Sequence, residues 1–252
     1  MYKMRESQSN SGFTLVELAV VILIITILVI GIIVGISLIN QAQLRTTISD
    51  FQNHETAYNN FKTRFREVPG DFSLVFSYFN TDCAATATLC NGNTNGIIDY
   101  STLATSNEVN KAWKHLQLAH MIDANILKVT GVETLVGINA PGSNITAAGF
   151  IMIGGHDATP FKVTSNVVFL ASASSGATLL NSAVTPEFSY QLDQKVDDAY
   201  INSSDEFIGG ITGKVRSING ADAGVTACID QTTGNYNIAN SSITCKVGFL
   251  LE

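Results

Sequence analysis

Residues 12–39 read GFTLVELAVVILIITILVIGIIVGISLI, and the way this stretch is read decides the fold. From Leu18 to Ile39 only Thr26, Gly31, Gly35 and Ser37 interrupt the apolar side chains, and no charge falls between Glu17 and Arg45. As an α-helix the run reaches about 33 Å at 1.5 Å per residue, enough to cross the ~30 Å hydrocarbon core of a bilayer. A cleaved secretory signal would carry an apolar region of about 7–15 residues and an A-x-A-like site. The run is longer than that, and LINQAQ after it offers no such site. A buried core helix fits less well still, because such a helix is rarely apolar on every face.

Working outward, the polar leader before the motif carries Lys3 and Arg5. The positive-inside tendency puts this leader in the cytoplasm and everything after Ile39 across the membrane. Glu17 stands at the mouth of the run, where an ionised carboxylate is costly without a partner. The whole chain is 46% hydrophobic and only 14% charged, against roughly 25% charged for an ordinary soluble domain. Charge is split unevenly: residues 1–66 hold six basic and four acidic side chains, and the remainder holds eight basic and seventeen acidic. A head that acidic repels phosphate, which excludes nucleic-acid binding through a broad basic face. Frequent Val, Ile, Leu and Phe exclude disorder for most of the chain.

Gly12-Phe13-Thr14-Leu15-Val16-Glu17, followed directly by the apolar run, resembles the cleavage and methylation site of type IV prepilins and type II secretion pseudopilins. The resemblance implies that a prepilin peptidase cuts between Gly12 and Phe13 and that the new Phe13 amine is N-methylated. It also implies that Glu17 pairs with the N-terminal amine of a neighbouring subunit. Physical chemistry agrees, since an exposed cation and a carboxylate in an apolar bundle would neutralise each other. The motif is specific because its context, a long apolar helix, is present.

Beyond Ile39, residues 40–67 contain no Gly or Pro, and Leu44, Ile48, Phe51, Tyr58, Phe61 and Phe65 recur at helical spacing. This predicts an amphipathic continuation of the apolar helix with His54 on its polar side, stopped by Val68-Pro69-Gly70-Asp71. The expected organisation is a leader at 1–12, a transmembrane and assembly helix at 13–39, its amphipathic continuation at 40–67, and a head at 68–252. In the head, Thr105-Ser106-Asn107-Glu108 reads as a capping box opening a helix from Glu108 to about Met121, with Trp113 buried. A second helix is predicted with Thr185 as N-cap and Pro186 at its first position, running near Asp197. Runs at Phe150–Ile153, Val167–Ala171, Gly213–Ile218 and Lys246–Leu251 read as strands. The fold class is therefore α+β and pilin-like: a long N-terminal helix, half transmembrane and half amphipathic, packed on a head with an antiparallel sheet.

Four cysteines allow three pairings. Local pairing of Cys83 with Cys90 and of Cys228 with Cys245 closes the shortest loops, and oxidation is expected if the head lies in the periplasm or on the cell surface. The longer bridge would contribute roughly 3 kcal/mol. Zinc is the rival, but neither pair has CxxC spacing and no His is in ligand register. Between Cys90 and Asp99, Asn91, Asn93 and Asn95, the Ile97 carbonyl and Asp99 alternate as oxygen donors around Gly92 and Gly96. That is the pattern of a calcium loop, though with one carboxylate and Thr102 where a bidentate Glu belongs. The competing reading is a Gly/Asn-rich turn stapled by the cysteines.

No P-loop, G-x-S-x-G, HExxH or dinucleotide glycine pattern is present. His115 and His120 fall in the Trp113 helix, His156 beside Asp157 in a Gly-rich loop, and Asp193, Asp197 and Asp198 near Lys195 at a solvated helix end. None has a nucleophile in register, so no enzyme and no catalytic residue are expected. The sequence thus predicts a pilin-like or pseudopilin filament subunit serving adhesion, motility, DNA uptake or type II secretion. Its expected partners are other copies and other pilins, the prepilin peptidase and the bacterial inner membrane. It would sit there single-pass with its N-terminus cytoplasmic before assembly, and its head would be periplasmic or in a surface filament. The alternative is an unprocessed, monomeric membrane-anchored binding module or receptor.

Overall fold

The computed structural model describes residues 14–127, 129–154, 161 and 165–251. Helix α1 runs Leu15–Phe65. After it come a short helix α2 (Val75–Phe79), a 3₁₀ turn (Asn80–Asp82), α3 (Ala87–Cys90) and α4 (Glu108–Leu118). Strands β1 (Ala148–Gly154) and β2 (Asn166–Ser172), helix α5 (Pro186–Val196), and strands β3 (Tyr200–Ile201), β4 (Phe207–Ile208), β5 (Val215–Asn219) and β6 (Cys245–Leu251) complete the chain. The architecture is α+β and pilin-like, a long N-terminal apolar helix with an antiparallel sheet in the head.

Two compact units divide the chain, 1–42 and 43–252. In the first, every large apolar side chain from Leu15 to Ile39 is exposed, between 48% and 87%. The helix is long and apolar enough to cross a membrane.

In the second unit the four-stranded sheet has the order β1-β2-β6-β5, antiparallel throughout. All four predicted strands are found within it. Strand register puts Phe150, Val168, Leu170, Val247 and Phe249 on one face. Phe51 of α1 lies on that face, stacked on Phe249 and edge-on to Phe150, each with ring centroids 5.4 Å apart. On the opposite face Phe161 meets Phe169 edge-on and covers Gly248, whose missing Cβ makes the approach possible. Both faces are thus covered, which is why β1 and β2 are almost continuously apolar instead of alternating with polar residues.

Leu44, Phe51, Tyr58 and Phe61 of the predicted stripe are buried, and Ile48 and Phe65 pack against the core at its margin. His54 departs from the prediction. It lies inside the stripe, edge-on to Trp113 at 4.8 Å and to Phe150 at 4.7 Å, because 51, 54, 58 and 61 share the same 3-4-3 helical spacing. The helix ends one turn before Pro69-Gly70, where Arg66 turns left-handed at φ 58°. Helix α4 likewise stops at Leu118 instead of Met121, since His120 takes φ 58° and falls outside it. Thr185 caps α5, its hydroxyl accepting the Phe188 N–H at 3.2 Å.

Burial holds the His54 ring down to about pKa 4 from an ordinary 6.5. The unfolded ring therefore takes a proton near pH 6.5 and the folded one only near pH 4, so stability present at neutral pH is lost as pH falls through that interval. Thermal melts of the wild type and His54→Phe at pH 7 and pH 4.5 should show the wild type losing about 2 kcal/mol relative to the variant. A gap that stays constant between the two pH values would contradict this.

Candidate functional site

At the head of α1, Thr14 precedes the first helical residue and Glu17 sits at its third position. Glu17 Oε2 accepts both the Thr14 backbone N–H and the Thr14 hydroxyl at 2.8 Å, while the Glu17 N–H donates to Thr14 Oγ1 at 3.3 Å. This is a reciprocal capping box. Among the described residues the box gives the carboxylate hydrogen-bond partners but no positive charge. Gly12 and Phe13 lie outside the described residues. The Thr14 role escaped the sequence reading, although its signal, Thr-x-x-Glu before an apolar run, is plain in the chain.

The predicted capping box of α4 is absent. Asn107 occupies the cap position, but its side-chain amide donates to the Gly131 carbonyl at 2.9 Å and makes no cap bond, and Glu108 faces elsewhere. Its Oε1 accepts the Asn93 N–H at 2.9 Å and its Oε2 the Asp99 N–H at 3.0 Å. Buried Asp71 holds the same loop from the other side, accepting the Asn95 N–H at 3.2 Å and the Gly96 N–H at 2.6 Å. Lys111 donates to the Asn91 carbonyl at 2.6 Å. Gly92 presses on the Asp71 backbone where no Cβ could fit. Burial pushes Glu108 up to about 7, against the lowering effect of its two N–H donors, and it pushes Asp71 up as well.

Asn91, Asn93, Asn95 and Asp99, the side chains of the calcium-loop pattern, each accept a hydrogen bond from the protein. Asn91 Oδ1 accepts the Phe76 N–H, Asn93 Oδ1 the Asn95 N–H, and Asn95 Oδ1 the Ile97 N–H. Asp99 Oδ2 accepts from the side-chain amides of both Asn93 and Asn95. So Asn91 faces α2 and not the loop centre, and the arrangement is that of a turn anchored by buried carboxylates.

Cys83 is bonded to Cys90, and Cys228 to Cys245, with Cα–Cα distances of 5.8 and 5.0 Å. His115 lies by the first bridge, but its ring is fully engaged: Nδ1 accepts the Gly70 N–H at 2.8 Å and Nε2 meets the Cys90 carbonyl at 3.0 Å. Burial pushes it down to about 3, so it is a neutral structural side chain. The second potential metal grouping is Asp193, Asp197 and Asp198. Its sequence reads as a solvated helix end, yet Asp193 is fully buried and bonded to the Tyr236 hydroxyl at 2.7 Å. Burial pushes this carboxyl up to about 8. Its partner lies 43 residues away, beyond the reach of local patterning.

An exposed apolar helix opened by Thr14 and Glu17 is thus joined in sequence to a disulfide-bonded α+β head. In the comparison with protein families, residues 7–33 match the model for the prokaryotic N-terminal methylation motif, the signature of type IV pilins and pseudopilins. Neither the curated proteins nor the solved structures yield a match.

Replacing Glu108 with Ala leaves two loop N–H groups without acceptors. The variant should lose about 2–3 kcal/mol of stability and show faster amide exchange at Asn93 and Asp99. Unchanged protection at both amides would show that the carboxylate does not hold the loop.

Proposed function

We propose that the chain is a filament subunit, a pilin or a pseudopilin, made as a precursor and cut by prepilin peptidase between Gly12 and Phe13. In this reading Phe13 becomes the N-methylated terminus, and residues 13–39 hold the precursor in the inner membrane and then pack against other copies. Residues 40–67 carry the helix onward into the head, 68–252, outside the inner membrane. The observation that carries the proposal is the match of residues 7–33 to the methylation motif. The uncovered apolar side chains of Leu15–Ile39 support it, because they need a lipid or protein neighbour.

Glu17 has a defined task in this scheme. Held by Thr14, its carboxylate stays at the end of the helix, ready for a cation. The amine freed at Phe13 of a neighbouring subunit supplies that cation, and the two charges compensate each other where water is excluded. A mispositioned copy leaves both charges unpaired in an apolar bundle, so the pair sets the axial register as well as contributing to cohesion. Such filaments serve adhesion, motility, DNA uptake or type II secretion.

Glu17→Ala tests the proposal in cells. The variant is expected to insert in the inner membrane at normal levels but to be absent from sheared filaments or secretion complexes. Incorporation at the wild-type level would refute the charge-pairing role.

A further inference from the structure

A cleft of about 410 Å³ opens beside the C-terminal end of α1. Tyr58, Lys62 and Arg66 enter its wall from successive turns, four residues apart along the helix and its exit. Val68 and Leu251 give it an apolar side. Tyr58 is only 2% exposed, and its hydroxyl oxygen accepts the Asn166 side-chain amide at 3.0 Å. The hydroxyl hydrogen has no acceptor among the described residues, so a buried donor in the cleft wall is left unused.

Arg66 is held at the cleft against a conformational cost. It follows the last residue of α1, its N–H donates to the Lys62 carbonyl at 2.8 Å, and its φ of 58° is left-handed. Glycine takes such a position most readily, because a Cβ is strained there. The arginine keeps a guanidinium at the cleft that glycine would forfeit. Among the described residues neither Lys62 nor Arg66 forms an ion pair. Glu67, the one acid among the described lining residues, pairs with neither of them. Asp71, whose charge also reaches Tyr58, turns its carboxylate to the N–H groups of Asn95 and Gly96. We propose that this cleft binds a small organic carboxylate, its charged end set between Lys62 and Arg66 and accepting the Tyr58 hydroxyl, its apolar body against Val68 and Leu251.

Size and lining select this class of ligand. Sites for small molecules span about 300–1,000 Å³ and combine apolar walls with a few convergent polar groups. A single acidic side chain from another protein would leave most of the cleft empty. Inorganic phosphate would use the cations but none of the apolar wall. A guanidinium matches a carboxylate through two parallel N–H bonds, and an ammonium adds a third charged donor. The exposure of Lys62 and Arg66 leaves the site open to ligand from solvent. Once bound, the carboxylate would link the end of α1 to β6 through Leu251, so occupancy stabilises the head.

The full-length protein in detergent micelles is titrated with benzoate, 3-phenylpropionate and hexanoate by calorimetry, with empty micelles as the blank. At least one of the three is expected to saturate at one per chain and to raise the Tm followed by Trp113 fluorescence. Benzyl alcohol, which has the body without the charge, and acetate, which has the charge without the body, should each bind at least tenfold more weakly. Lys62→Met and Arg66→Gly, both exposed changes, should each weaken carboxylate binding at least tenfold. Arg66→Gly should do so with an unligated Tm equal to or above that of the wild type, because glycine relieves the left-handed strain. Absence of saturable binding for all three carboxylates overturns the proposal, as does binding that both variants leave unchanged. Inorganic phosphate binding more tightly than all three would also overturn it, by assigning the cleft to phosphate.

Discussion

The constraint on which this molecule turns is the unburied apolar surface of Leu15–Ile39. Large aliphatic side chains are left at least 48% exposed along this whole stretch, and no part of the described chain covers them. Moving each out of water is worth roughly 2 kcal/mol, so the segment carries tens of kcal/mol of unsatisfied burial. Lipid satisfies that demand, and so do equivalent helices from other copies. A helix that is apolar all round can therefore pass from bilayer to bundle with little change in its surroundings. The charge at its mouth is the one group that distinguishes the two, because a carboxylate gains more from an ordered ammonium partner than from a hydrocarbon boundary.

The same helix changes character at its polar midpoint. From Leu44 onward its side chains become the centre of the head's core, and Phe51 is fitted against Phe150 and Phe249 of strands β1 and β6. Sheet and helix thus depend on each other: the sheet needs an apolar cover on that face, and the stripe needs a surface to bury. Around this centre, irregular segments are held by buried polar groups instead of regular structure. Asp71, Glu108 and Lys111 organise residues 91–99, and Asp197 fixes the entry to β5. The two disulfides close short loops at places where the chain has little secondary structure of its own.

What was legible in the sequence followed from local periodicity. The apolar run, the four strands and the Thr185-Pro186 start of α5 each carry their signal within a few residues, and each is found as an element. The errors arose where a side chain serves a distant partner. Glu108 has the spacing of a capping box but hydrogen-bonds to Asn93 and Asp99, because a loop fifteen residues upstream competes for the carboxylate. His54 looked polar by type, yet its position in the 51-54-58-61 series placed it against Trp113. Asp193 looked solvated beside Lys195, and only the fold brings Tyr236 over it. Alternating side-chain oxygens serve a turn as well as a metal, and Asn93 and Asn95 return theirs to N–H groups of the same loop.

The central claim is that the apolar helix serves assembly through a processed N-terminus, and the mass of the N-terminal peptide of native protein tests it most directly. The account predicts a chain that begins at Phe13, carries one methyl group on its amine, and is recovered in filaments or secretion complexes. A native chain that retains residues 1–12 in the membrane, with no processed form present, would contradict it.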